Sequence, residues 1–199
     1  AELLGLCHHT LFAVEQQMRN LPRALESGWE ALRAYGRSPA AAHVLVECAQ
    51  LFAALGERAT ARRVFEAALG KPLTMRTRLA ASVGLLDLEV VEGNQVAFWA
   101  RRKALESHPE LEDTPLWHAR FWVTVARGLQ RFGHETAAEQ ALEEAAWLAE
   151  WNGLGPTGLG EAPPAEGRPG AVGSKRPHDE ETARTVEEYA RRFGGAELA

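Results

Sequence analysis

Cysteine is scarce in this chain: two residues among 199, Cys7 and Cys48. Neither stands in a CxxC pair, and nothing else in the sequence forms a disulfide framework or a cysteine zinc site. Both fall in apolar helical patterns, so both are expected as reduced core thiols. Long apolar runs are also missing. None approaches the ~18 residues of a membrane span, and no stretch reads as a signal peptide. The chain opens Ala1, Glu2, Leu3 without Met, which reads as a fragment or a processed product. Basic excess is absent as well, since 22 Lys and Arg stand against 27 Asp and Glu for a net charge of -5. That balance argues against a general nucleic-acid binder. Cytoplasmic location is the expectation that follows from the missing signals and the reduced cysteines.

Catalytic signatures are missing too. There is no HExxH, no GxxxxGK[ST] and no GxSxG. Gly153, Gly155 and Gly158 match GxGxxG by letters, but they lie in a Gly-rich stretch with no preceding strand. His8 and His9 are adjacent and point to different sides of a helix. His43, His108, His118, His134 and His178 are expected to have no partner at the i+4 spacing of helical metal ligands. No enzymatic activity, metal site or cofactor is expected.

What the sequence does hold is helix. Hydrophobic residues make up 46% and charged residues 25%, enough for a core. Through residues 1–151 apolar positions recur at helical spacing, with Ala, Leu, Glu, Arg and Gln dominant. No run reads as a strand. Breaks fall at Asn20–Pro22, Gly36–Pro39, Gly56, Gly70–Pro72, Gly93–Asn94, His108–Pro109, Asp113–Pro115 and Gly133. They predict eight helices of roughly 12–20 residues with short turns, which favour antiparallel neighbours. Ser38 is the expected N-cap of the third helix, with Pro39 in its first position.

The helices fall into pairs with a recurring pattern. One pair reads Leu45-x2-Cys48-Ala49-x2-Phe52, then Gly56, then Ala61-x3-Phe65-x2-Ala68, then Pro72. Another reads Trp122-x2-Val125-Ala126-x2-Leu129, then Gly133, then Ala138-x3-Leu142-x2-Ala145. The small residues let helices approach, the large ones fill the gap beside them, and the glycine allows the turn. This pattern resembles the tetratricopeptide repeat family. Two further pairs are degenerate: Gly28 stands at the aromatic place of one, Arg101 at that of the other, and Gly84 weakens a first helix. The matching alanines Ala24, Ala61, Ala97 and Ala138 lie roughly 36–41 residues apart, against about 34 in the ideal repeat. The resemblance implies an all-α fold, a right-handed superhelix of antiparallel helix pairs over residues 1–152.

Beyond it the composition changes. Residues 153–178 are rich in Gly and Pro and read as a linker. Residues 179–199 read as a C-terminal extra helix, with Asp179 as N-cap and Val186, Tyr189, Ala190 and Phe193 on one face. Two placements stay open: a cap on the last helix pair, or a tethered helix that fills the ligand groove or grips a neighbouring molecule.

In the family, the first helix of each pair lines a groove for peptides. By helical phase the residues facing away from the packing positions are Arg120, Thr124, Arg127 and Arg131 in the fourth pair. In the second pair they are His43, Glu47 and Gln50, in the first His9 and Gln16, and in the third Asp87 or Glu89. Three arginines on one stripe suit an acidic segment or a terminal carboxylate, with Asp179–Glu181 as a candidate in cis. Trp29, Phe65, Trp99, Trp117, Trp122 and Trp147 are expected in the core, while Phe121 and Trp122 cannot both face one neighbour. The resulting expectation is a scaffold for another protein or peptide, with a tail-exchanging homodimer as a further arrangement. The alternative is a sensory or oligomerising part of a larger transcriptional regulator.

Overall fold

The computed structural model describes residues 2–154 and 180–194. Among them every regular element is an α-helix: α1 (Glu2–Gln17), α2 (Leu21–Tyr35), α3 (Pro39–Ala54), α4 (Arg58–Leu69), α5 (Met75–Glu92), α6 (Gln95–Glu106), α7 (Pro115–Arg131), α8 (Glu135–Trp151) and α9 (Glu180–Gly194). The eight helices read from the sequence are all present. The linker expected over 153–178 lies outside the described residues from 155 onward, as does Asp179.

One turn recurs inside the helix pairs. A residue with positive φ ends α1, α3, α5 and α7: Arg19 (57°), Gly56 (86°), Gly93 (74°) and Gly133 (80°). The next backbone N–H reaches back five residues in each case, Asn20 to Glu15, Glu57 to Phe52, Asn94 to Glu89 and His134 to Leu129. This Schellman closure satisfies carbonyls that a helix end leaves open. The residue donating that bond is also the N-cap of the following helix. Three of these left-handed positions carry glycine, the residue that tolerates them; the first carries arginine.

The chain divides into two compact units, residues 1–81 with 176–199, and residues 82–175. In the first unit α1 packs on α2, α3 on α4, and α2 on α3. Gly5 of α1 lies against the ring of Tyr35 near the end of α2, while Phe12 lies against Gly28 near its middle. Rising numbers on one helix meet falling numbers on the other, so the pair is antiparallel. Gly28, at the place of an expected aromatic, admits both the Phe12 ring and the Cys48 sulfur; an added Cβ would sit 2.8 Å from that sulfur. Ser38 caps α3 by accepting from the Ala40 N–H, with Pro39 following, as the sequence predicts.

α9 packs on α2 and α4. Its Phe193 ring meets Trp29 edge-on at 5.1 Å and Phe52 at 5.2 Å, and Val186, Tyr189 and Ala190 are buried with it. Of the two placements left open for this helix, neither is settled; its described residues lie in the first unit. The apolar face of α9 finds its aromatic partners in the first unit.

In the second unit α7 packs on α8, and the Phe98 ring of α6 lies so close to Gly128 of α7 that an added Cβ would stand 2.2 Å from it. Phe121 is fully buried and Trp122 only partly so, which resolves that adjacent pair. Two expectations fail. Trp147 is exposed, stacked on the still more exposed Trp151 with centroids 5.9 Å apart, and Leu142 is exposed as well. The buried face of α8 is instead carried by Leu148 and by Ala138, Ala141, Ala145 and Ala149, alanines whose small side chains allow a close helix approach. Cys7 is likewise exposed rather than core, whereas Cys48 is buried; both are free thiols.

Candidate ligand faces on the first helices

In the first unit the face is built by α1 and α3. Val44, Val46, Cys48 and Ala49 are buried and hold α3 in place, which turns His43 and Glu47 outward on adjacent turns. His9 projects from α1 beside them. Its Nε2 lies 2.5 Å from Glu47 Oε2, and His43 Nε2 lies 3.5 Å from Glu47 Oε1. The two imidazoles meet edge-on at 5.5 Å, and the Tyr35 ring closes on His9 at 6.3 Å. The three groove candidates from two pairs therefore form one cluster. Gln50 and Gln16 are half-buried beyond it. His43 does have an i+4 partner, against expectation: the Glu47 carboxylate stands four residues on. Burial, aided by Glu2, Cys7 and Glu47 nearby, raises the Tyr35 hydroxyl above its ordinary range.

In the second unit the face is built by α5 and α7. Arg127 Nη1 donates to Asp87 Oδ1 at 2.6 Å, which selects Asp87 over Glu89 as the outward residue of α5. Glu89 is buried, with Arg101 Nη2 at 3.7 Å. Burial raises the Asp87 carboxyl above the usual carboxylate range, and the Arg127 charge opposes this. Arg131 is exposed and lays its guanidinium over Gly93. Arg120 sits 5.0 Å from the Trp117 ring centroid, a cation–π geometry. Thr124 does not belong to the face. It is buried, and its hydroxyl donates to the Arg120 carbonyl at 3.0 Å, so a short side chain at that phase turns back onto its own helix.

Two features escape the sequence reading. A hollow in the first unit is lined by Trp29, Leu32, Leu45 and Pro72 together with Arg33, Arg37, Lys71 and Arg192. It draws on separate stretches of chain, so no local motif announces it. The second is the Trp122 indole, which donates to His118 Nε2 at 3.1 Å; an indole at i+4 of a histidine belongs to no ligand motif. No helix among the described residues is long and apolar enough to cross a membrane.

In comparisons with known proteins, no family model matches the chain, and no curated protein and no solved structure matches it. What stands is the architecture itself: an all-helical protein, over the described residues, of paired helices in a helical-repeat arrangement.

Proposed function

We propose that this protein is a tetratricopeptide-type scaffold, its pairs wound into a right-handed superhelix and its first helices holding a protein or peptide partner. One observation carries the reading. The same kind of polar bridge joins first helices of successive pairs at nearly the same interval, His9 to Glu47 and Asp87 to Arg127, 38 and 40 residues apart. Packing alone does not call for these groups, because apolar residues would join two helices without the cost of desolvating charge. Half-exposed polar rows on first helices suit recognition instead.

At the fourth pair the ligand chemistry is an acidic segment or a terminal carboxylate. Arg127 and Arg131 lie one turn apart on α7, and guanidinium forks hold carboxylates through paired charge-assisted bonds. Asp87 holds Arg127 in the meantime, and a ligand carboxylate takes its place. The scaffold catalyses nothing in this reading. The test is fluorescence anisotropy with a panel of acidic peptides and neutral scrambles. Acidic peptides bind the native chain, and a variant with Arg127→Glu and Arg131→Glu loses them by about tenfold or more. Equal binding of acidic and neutral peptides sinks the proposal.

A second reading, the oligomerising part of a larger regulator, is favoured by α1. Leu4, Leu11 and Val14 are exposed along that helix, with Met18 just past its end, an apolar row of the kind that interfaces cover. Sedimentation across a concentration series tests it: Leu11→Glu abolishes self-association if α1 is the contact, and a monomer at every concentration ends it.

A further inference from the structure

Three metal-ligating side chains from two helices converge in the first unit. One ring nitrogen each of His9 and His43 and a carboxylate oxygen of Glu47 offer one donor atom each, all within 4.8 Å of one another. We propose that His9, His43 and Glu47 bind a divalent transition-metal ion of the zinc class. This goes beyond the scaffold reading and does not depend on it.

The donor set decides the class of ion. Two imidazoles and one carboxylate suit Zn2+, Co2+ or Ni2+, whereas Mg2+ and Ca2+ take sites built of oxygen. Three protein donors leave one position of a tetrahedral ion for water or for a group brought by a partner.

The framework holds the donors in place. His43 and Glu47 are one turn apart on α3, whose opposite side is buried core. His9 is flanked by the rings of Phe12 and Tyr35 at 6.4 Å and 6.3 Å, which limits its swing. Tetrahedral bonds of about 2.0–2.2 Å place ligand atoms about 3.4 Å apart. His9 and Glu47 therefore separate from their 2.5 Å hydrogen bond as the ion enters. His43 lies 3.5 Å from Oε1 whereas His9 bonds to Oε2, so the carboxylate also turns to offer one oxygen to the ion. The adjustment falls on side chains that solvent reaches, with exposures of 20% for His9, 30% for Glu47 and 47% for His43. An ion thus has a path in from solvent.

The experiment is calorimetric titration of the full chain with Zn2+, paired with Co2+ absorption to read the ligand field. The expected result is one ion per chain, with tetrahedral-type Co2+ bands. His43→Gln, His9→Gln and Glu47→Gln each weaken binding by about tenfold or more, while His8→Gln and Cys7→Ser bind as the native chain does. His43 is exposed enough that its variant keeps the fold, which circular dichroism verifies. The proposal is overturned if no single-ion stoichiometry is seen, if the three variants bind like the native chain, or if Cys7→Ser alone removes the ion.

Discussion

Arg127 of α7 and Asp87 of α5 form a half-buried ion pair, Nη1 to Oδ1 at 2.6 Å. Removing either partner has unequal consequences. Arg127→Leu leaves a half-buried carboxylate without its cation and is expected to cost about 1–2 kcal/mol, between the values for exposed and buried pairs. Asp87→Asn keeps an acceptor and should cost under about 1 kcal/mol. Urea unfolding of both variants measures the difference; a reversed order contradicts the assignment. In Arg127→Leu the Asp87 carboxyl should also titrate higher than in the native chain, since only the opposing charge has gone.

His118 gives a pH dependence of definite sign. Burial lowers it from 6.5, against the upward pull of Glu144 and Glu112, and its Nε2 accepts from the Trp122 indole. The fold therefore favours neutral imidazole. Its contribution to stability is complete above the unfolded value of 6.5 and is lost as pH falls through the lower folded value. Thermal midpoints measured downward from neutral pH should drop less in His118→Gln than in the native chain. Parallel curves would remove His118 from the account.

Phe193 anchors α9 between Trp29 and Phe52 and is 1% exposed. Phe193→Ala should weaken docking of α9 by about 3–5 kcal/mol. Hydrogen exchange reads this locally: protection falls across residues 180–194 and persists in α7 and α8. Retained protection in α9 would show that other contacts hold it.

Arg19 closes the α1–α2 turn at φ 57°, where the three matching turns use glycine. Arg19→Gly should stabilise the chain by about 1 kcal/mol. A destabilised variant in chemical unfolding would mean that the arginine side chain contributes more than its backbone costs.

The two thiols should separate kinetically. Cys7 is exposed, while burial, with Glu47 adding to it, pushes the Cys48 thiol well above its ordinary value. One equivalent of a thiol reagent reacts with the native chain, and the second only after denaturant is added. Two fast equivalents would contradict the buried position of Cys48 against Gly28.

The sequence by itself determined the helices and most of their ends. Helical periodicity, the Ser38 cap and the glycines at 56, 93 and 133 are local signals, and each acts within a few residues of itself. It also placed His9, His43, Glu47, Arg127 and Arg131 on outward faces, because helical phase needs only the positions that pack. The tertiary structure decided what those faces meet. His9 and Glu47 are 38 residues apart and Asp87 and Arg127 are 40, and no local pattern encodes such a distance. Periodicity also cannot say which apolar residues find a neighbour. Phe12 of α1 is covered while Leu4 and Leu11 are exposed, and Ala145 of α8 is covered while Trp147 is exposed. The deciding factor is how closely two helices approach, and that depends on the facing helix, as Gly28 shows by admitting Phe12 and Cys48 together.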